Sequence, residues 1–122
     1  MSKKTAILGA TPNSQRYAYF AADRLTAQDH EIVPIGIKNG SVFGKEILNL
    51  RDKPAVSDID TVTMYIGPKN QGEWEDYILS LKPRRIIFNP GSENPHLAEK
   101  ASSEGIEVMN ACTLVMLGNG LY

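Results

Sequence analysis

Short apolar runs rich in β-branched residues recur along the chain at intervals of about 20 to 30 residues. The first run, at residues 5–9, reads T-A-I-L-G, and the others occupy residues 31–37, 61–66, 85–89 and 106–109. Such runs are typical of parallel strands that are buried on both faces. Most of the stretches between them have helical spacing of apolar residues, so the pattern predicts repeated β-α-β units.

This alternation predicts a three-layer, Rossmann-like α/β fold with helices on both faces of a five-stranded parallel sheet of order 3-2-1-4-5. The length of 122 residues suits one core, so we expect residues 1–122 to form a single domain. In open sheets of this kind, ligands bind outside the carboxyl ends of the strands. The loops that follow the strands are therefore the expected place for a site.

Capping and breaking residues predict where the helices begin and end. Ser14 is expected to cap the first helix, and further helices are predicted over residues 70–81 and 97–103. Pro34 lies inside the second strand and is expected to produce a bulge or a partial edge. Residues 38–58 contain several glycines and prolines, and we expect mostly loop there, although residues 42–50 could hold a short extended or helical piece.

Charge and cysteine content limit the classes of partner. The net charge of -1 gives no overall field that would draw the protein to nucleic acid or to an anionic membrane. Cys112 is the single cysteine, which excludes an internal disulfide and a zinc site built on several thiolates. The basic N-terminus is followed by an apolar run too short for a signal peptide or a membrane span, so we expect a cytoplasmic protein.

The loop after the first strand carries the strongest functional signal. Gly9 permits a tight turn off the strand, and the backbone N–H groups at the start of the next helix favour an anion. Thr11 and Ser14 offer hydroxyl donors, and Arg16 offers a guanidinium to a phosphate oxygen. A diphosphate suits this loop, although Gly9 as a plain turn residue and Arg16 as a surface charge are also compatible with the sequence.

The loop does not contain the dinucleotide fingerprint G-x-G-x-x-G, because only its first glycine is present. The second strand also ends without the acidic residue that NAD-binding proteins place on the ribose hydroxyls. Ile37 and Lys38 stand there instead. A lysine suits a ribose phosphate, either the 3'-phosphate of coenzyme A (CoA) or, as the less favoured ligand, the 2'-phosphate of NADP.

The segment A-I-L-G-A-T-P-N-S-Q-R, followed by an apolar helix, resembles the opening of the CoA-binding domain family, whose members run G-A-S-x-N-x-x-R. The stretch G-K-E-I-L-N-L-R-D-K-P from Gly44 and the segment N-P-G-S-E-N-P-H from Asn89 resemble later parts of that family. The resemblance covers nearly the whole chain. It implies a stand-alone protein that binds CoA or acyl-CoA without catalysis of its own.

The resemblance also implies roles for particular residues. In the family the opening loop and its arginine hold the diphosphate, which corresponds here to Gly9, Ala10, Thr11, Pro12, Asn13, Ser14 and Arg16. Tyr65 matches the aromatic member of an aromatic-arginine pair after the third strand, but the arginine is absent. The family's closing D-R-C is here Asn110-Ala111-Cys112. These departures predict weaker binding or an altered ligand.

Other residues follow the later strands. Asn89, Gly91 and Asn110 lie at carboxyl ends and are expected to line the same cleft unless they only form turns. Cys112 is expected near the ligand, either as a thiolate that reacts with a thioester or, more commonly, as a buried structural residue. His30 and His96 are expected to be structural or exposed.

Three functions therefore remain open. The first is a non-catalytic CoA-binding protein, the second is a small NADP-linked reductase or an acyl-transfer enzyme that uses Cys112, and the third is an interaction domain that has lost its ligand. The apolar tail at residues 113–117 is expected to pack on the domain or on a second subunit, so a homodimer is plausible.

Overall fold

The structure is a computed structural model, and it describes residues 2–122. Its strands are Thr5–Leu8 (β1), Ile32–Gly36 (β2), Ser41–Val42 (β3), Lys45–Glu46 (β4), Leu48–Asn49 (β5), Thr61–Met64 (β6), Arg85–Phe88 (β7) and Glu107–Asn110 (β8). Six of them form a parallel sheet of order β5-β2-β1-β6-β7-β8, and β3 and β4 form a separate antiparallel hairpin.

The predicted α/β class and parallel sheet are confirmed, but the strand count and order differ from the prediction. The third predicted strand, now β6, pairs with β1 and not with β2. The additional strand is β5, which covers only Leu48–Asn49 and lies beyond β2. Two residues are too few to give a periodic signal, so the sequence indicated no more than a short extended or helical piece within residues 42–50. With β5 counted, the six parallel strands have the order 3-2-1-4-5-6.

Within residues 2–122, four α-helices cover the two faces of the sheet: Tyr17–Ala27 (α1), Glu75–Ser80 (α2), Pro95–Ser103 (α3) and Thr113–Gly118 (α4). Alternate residues of β1 face opposite cores, since Ala6 and Leu8 pack with α2 and α3 while Ile7 packs with α1 and α4. The three predicted layers are thus present. The apolar tail forms α4 and packs back on α1, where Leu117 is buried.

The first helix begins later than predicted. Arg16, and not Ser14, is its N-cap residue, and no side chain caps the helix. The side chains of Thr11 and Asn13 form local turns instead, because Thr11 Oγ1 accepts from the Asn13 N–H (3.1 Å) and Asn13 Oδ1 accepts from the Gln15 N–H (2.9 Å). These turns extend the loop by several residues before the helix starts.

The second and third helices also differ at their first residues. Residues 68–74 form two 3-10 turns, so α2 begins only at Glu75 and not near residue 70. Helix α3 begins at Pro95, where the Asn94 side chain accepts from the Leu97 N–H (3.2 Å). Gly105 follows α3 with a φ of +81°, a conformation that is common for a glycine just after the end of a helix.

Pro34 produces a partial edge without a bulge. The register between β1 and β2 is continuous, with Ile7 opposite Pro34. The carbonyl oxygens of Glu31 and Ile35 accept hydrogen bonds from the N–H groups of Thr5 and Gly9. Because successive residues of a strand point their backbone groups to opposite sides, the nitrogen of Pro34 faces away from β1. Pairing with β5 starts only at Ile35, and the missing donor therefore costs no ladder hydrogen bond.

Candidate functional site

An open cavity of about 380 Å³, here called the edge cavity, lies at the carboxyl edge of the sheet. The loops that follow β1, β2, β6 and β7 form its walls. It brings together the predicted residues Gly9, Ala10, Thr11, Arg16, Ile37, Lys38, Tyr65 and Gly91. The strand order reverses between β1 and β6, and the helices that follow them, α1 and α2, pack on opposite faces of the sheet. This is the point where such sheets bind ligands.

Two glycines allow the loops to approach one another closely. Gly9 has a φ of +96°, and a Cβ on it would lie 2.7 Å from the carbonyl oxygen of Tyr65. A Cβ on Gly36 would lie 2.5 Å from the carbonyl oxygen of Ala10. Real Cβ atoms do not approach a backbone oxygen so closely, so both positions require glycine. Gly36 did not stand out in the sequence, because its close neighbour, Ala10, is remote along the chain.

Arg16 and the start of α1 provide the donors predicted for an anion. The backbone N–H groups of Tyr17 and Ala18 have no acceptor within residues 2–122, and both residues line the edge cavity. The exposed guanidinium of Arg16 forms no ion pair with the described residues. This part of the wall therefore combines a positive helix end with an uncompensated cation.

A second depression of about 700 Å³, here called the lateral groove, opens beside the edge cavity and shares Gly9, Arg16, Lys38 and Tyr65 with it. Its other wall contains Leu50, Arg51, Asn70, Glu73 and Trp74. The sequence did not point to Arg51, because residues 38–58 lacked a clear element. Trp74 packs against the core and also lines the groove.

The loops after β6 and β7 are held by a buried amide. Gln71 is fully buried, and its Nε2 donates to the carbonyl oxygens of Ile66 and Ser92, both at 2.7 Å. Ile66 and Ser92 line the edge cavity. Sequence reasoning missed Gln71, since no periodicity or motif marks a glutamine whose partner is 21 residues away.

A carboxylate completes this polar cluster. Glu75 accepts from Asn94 (3.1 Å) and contacts His96 Nδ1 (2.8 Å) and the Lys100 ammonium (3.5 Å). Burial alone would raise the pKa of Glu75, but the hydrogen bonds from Asn94 and His96 and the charge of Lys100 outweigh it and lower the pKa. His96 itself is exposed, as predicted, and lies outside the edge cavity.

Asn89 has no polar atom left for a ligand. Its Nδ2 donates to Thr63 Oγ1 (2.7 Å) and to the Met64 carbonyl oxygen (2.9 Å), and its Oδ1 accepts from the Thr113 N–H (2.9 Å). Asn89 thus joins β6, β7 and α4, which corresponds to the structural alternative left open by the sequence.

Tyr65 and Cys112 share a small cavity of about 230 Å³ with Tyr17, Asn89 and Leu114. The Tyr65 hydroxyl is buried and has no hydrogen-bond partner among residues 2–122. Burial raises the pKa of Tyr65 to about 12, although the nearby hydroxyls of Thr63 and Thr113 partly offset the shift. The phenol therefore stays protonated and is a donor, not a base, at neutral pH.

Four predicted site residues lie outside these cavities. They are Pro12, Asn13, Ser14 and Asn110. Pro12 packs against Gly40, and Asn13 forms the local turn described above. Asn110 is exposed at the end of β8, the strand at the far edge of the sheet.

Residues 2–122 contain no group of three His, Cys, Asp or Glu side chains placed to hold a metal ion. They also contain no helix of the length and apolarity needed to span a membrane, the longest being the 11-residue α1.

The fold and the edge cavity define a Rossmann-like protein of nucleotide-binding type. The chain belongs to the CoA binding domain family, whose profile matches residues 3–118. This confirms the resemblance seen in the sequence. No functionally curated protein matches the chain.

Solved structures share the fold. An uncharacterized protein is 54% identical, covers 100% of this chain and 99% of its own, and superposes with a TM-score of 0.96. A protein described as cell-free ID.343 from Thermus thermophilus is 22% identical, with coverage of 99% and 91% and a TM-score of 0.82. A hypothetical protein from Pyrococcus horikoshii OT3 is 23% identical, with coverage of 98% and 84% and a TM-score of 0.82. The last two likenesses concern the fold alone.

Proposed function

We propose that this protein binds CoA or an acyl-CoA and has no catalytic activity of its own. The observation that carries the proposal is the edge cavity at the carboxyl edge of the sheet. The turn at Gly9, Arg16 and Lys38 all line this cavity. Membership of the CoA binding domain family supports a nucleotide ligand of this class.

The diphosphate is placed at the start of α1. There the free N–H groups of Tyr17 and Ala18 and the guanidinium of Arg16 face a cavity that also contains the Thr11 side chain. Two negatively charged phosphates match a helix N-terminus and an arginine that is not neutralised by a carboxylate. The approach of Gly9 to Tyr65 leaves no side chain in the path of the ligand.

The two ends of the ligand extend in opposite directions from the diphosphate. The adenosine lies toward Ile37 and Lys38, which follow β2. The pantetheine arm lies toward Pro90 and Gly91, beyond which the small cavity containing Cys112 begins. A terminal thiol or a short acyl group fits the volume of about 230 Å³ there.

The proposal of binding without catalysis is supported by the chemistry of the walls. The His96–Glu75 contact lies away from the edge cavity, and the Tyr65 phenol, with a pKa of about 12, cannot act as a general base near neutral pH. An acyl transfer through Cys112 is the enzymatic alternative. It requires a base to activate the thiol, and neither histidine lines the small cavity.

We extend the proposal to the setting of the protein. A free cysteine and a net charge of -1 fit a single-domain cytoplasmic protein whose partner is a small nucleotide and not a nucleic acid or a membrane. A homodimer through the tail at residues 113–117, where the apolar side chain of Val115 is exposed, is part of this proposal.

Thermal unfolding tests the function directly. The protein is heated with CoA, acetyl-CoA, NADP, NAD or AMP, each at millimolar concentration. A ligand at 100 times its dissociation constant adds about 2.7 kcal/mol to the free energy of unfolding and raises the midpoint by several degrees. We expect this rise with the two CoA compounds, and hydrolysis of acetyl-CoA no faster than in buffer.

Two variants locate the site. Arg16→Ala should abolish most of the CoA-dependent rise, whereas Arg24→Ala, in the last turn of the same helix, should retain it. A rise with NADP alone would replace the proposal with the NADP-linked alternative. No rise with any compound would favour a domain that has kept the fold without the ligand.

A further inference from the structure

Two cations follow neighbouring parallel strands at the same level. Strands β2 and β5 pair through Ile35 with Leu48 and through Gly36 with Asn49. Lys38 is two residues beyond Gly36, and Arg51 is two residues beyond Asn49. Because adjacent strands are about 4.8 Å apart, this register brings both side chains to one end of the lateral groove.

The backbone around Arg51 is fixed. Asn49 Oδ1 accepts from the Arg51 N–H (3.0 Å), and the 3-10 turn Leu50–Asp52 closes with a hydrogen bond from the Lys53 N–H to the Leu50 carbonyl oxygen (3.0 Å). Leu50 is buried in the core and anchors the turn. The guanidinium therefore projects from a rigid base and not from a mobile loop.

The charge in the groove is not compensated. Arg16, Lys38 and Arg51 line the groove, against Glu73 as the single acidic side chain among the described residues that line it. None of the three cations forms an ion pair within residues 2–122. A surplus of fixed cations beside apolar surface from Ile37 and Trp74 suits an aromatic ligand that carries a phosphate.

We infer that Arg51 supplies the cation of a second anion subsite, separate from the diphosphate site at α1, that binds a phosphomonoester on the ribose of the nucleotide. This inference rests on the proposed function for the position of the rest of the ligand. The subsite lies between Lys38 and Arg51, and the base lies against the wall that contains Trp74. The protein thereby distinguishes CoA from a nucleotide that has the same diphosphate but no ribose phosphate.

Calorimetric titration of the protein with CoA and with 3'-dephospho-CoA tests the subsite. CoA should bind at least tenfold more tightly. In Arg51→Ala the affinity for CoA should fall about tenfold, while that for dephospho-CoA should stay within twofold. Lys69→Ala is the matched control, since Lys69 is an exposed cation on the neighbouring 3-10 turn that does not line the groove. It should bind both ligands as the unchanged protein does.

The single tryptophan gives an independent readout. CoA should change the fluorescence of Trp74, and 4'-phosphopantetheine, which lacks the adenosine, should not. Equal affinities for CoA and dephospho-CoA, or an equal loss for both in Arg51→Ala, would overturn the subsite and leave the proposed function intact.

Titration with NADP and NAD separates the two sources of a ribose phosphate. Binding of NADP but not of NAD or CoA would support the subsite and overturn CoA as the ligand. Failure of every one of these nucleotides to bind would overturn both inferences together.

Discussion

The buried side chains of Gln71 and Asn94 are joined by a hydrogen bond of 2.9 Å between Asn94 Nδ2 and Gln71 Oε1. Gln71 also bonds the backbone on each side of the edge cavity, at Ile66 and at Ser92. Asn94 caps α3 and bonds Glu75 at the start of α2. Two loops and two helix starts are therefore held by one polar cluster, and the shape of the cavity depends on it.

Substitution of Gln71 should weaken folding and ligand binding together. Gln71→Leu has a similar volume but leaves the Ile66 and Ser92 carbonyl oxygens without their donor. Each unpaired buried group costs about 1–3 kcal/mol, so we expect the free energy of unfolding to fall by about 3 kcal/mol. Urea unfolding measures it, with the exposed Gln15→Leu as the control. A loss below about 1 kcal/mol would show that the cluster does not hold the loops.

Replacement of Gly9 should be strongly destabilising because both its φ and its surroundings exclude a side chain. Gly9→Ala places a Cβ 2.7 Å from the Tyr65 carbonyl oxygen at a φ of +96°. We expect a loss of about 2 kcal/mol or more, from strain at the left-handed φ and displacement of the backbone. Gly72→Ala, where nothing lies within 4 Å of the new Cβ, should change the stability by less than about 0.5 kcal/mol. Similar losses in the two variants would contradict this account of the turn.

The free energy of unfolding should decrease as the pH is lowered, in part because of His30. Burial, followed by the charge of Lys3, lowers the pKa of His30 below its usual 6.5, and the Lys3 N–H donates to Nδ1 (2.9 Å). The neutral ring is thus favoured in the folded state. Its stabilisation is complete above pH 6.5 and is lost as the pH falls through the lower, folded pKa.

Urea unfolding at a series of pH values, from about 7 down to about 5, measures this contribution. In His30→Gln, the free energy of unfolding should depend less on pH in that window. In the control His96→Gln, the pH dependence that His30 causes should remain. An unchanged slope in His30→Gln would assign the loss to other groups.

The far end of the sheet should contribute to stability and not to binding. Arg85 donates from Nε to Thr61 Oγ1 (2.7 Å) and from Nη2 to the Tyr122 carbonyl oxygen (3.0 Å), and its guanidinium lies 4.4 Å from the centre of the Tyr122 ring. Tyr122→Ala removes this ring and its packing, and we expect a loss of about 2–3 kcal/mol.

The neighbouring Leu121 is 70% exposed, so Leu121→Ala should cost less than about 0.5 kcal/mol. The ligand-dependent rise in the unfolding midpoint should be the same in both variants, because the edge cavity lies at the opposite ends of the strands. A smaller rise in Tyr122→Ala alone would show that the two ends are coupled.

Local patterns were enough to predict the elements on which the site stands. The apolar run ending at Gly9 and the helical spacing after Tyr17 depend on neighbours within a few residues, and both elements are present. The sequence left a short extended piece open at residues 42–50 but did not predict that β5 joins the sheet, because its pairing with Ile35 and Gly36 is a contact that no local pattern encodes. That omission also placed β6 in the wrong position of the sheet.

The residues of the candidate site also fall into a group that local patterns could predict and a group that they could not. Gly9, Arg16 and Lys38 follow strands that could be recognised, so their meeting at one edge was predictable. Gln71 and Arg51 could not be predicted, since their roles depend on which loops lie side by side. Ser14 was misassigned because a serine before a helical pattern resembles a cap, whereas the turns at Thr11 and Asn13 carry the chain past it.

Pro34 has a consequence for the behaviour of the protein at high concentration. Strand β5 pairs only with the last two residues of β2, so the residues of β2 before Ile35 have no strand partner on that side within residues 2–122. A strand from another molecule that tried to extend the sheet there would meet the proline ring where it needs an N–H donor. This unpaired part of β2 thus resists the addition of a further strand, which limits edge-to-edge aggregation.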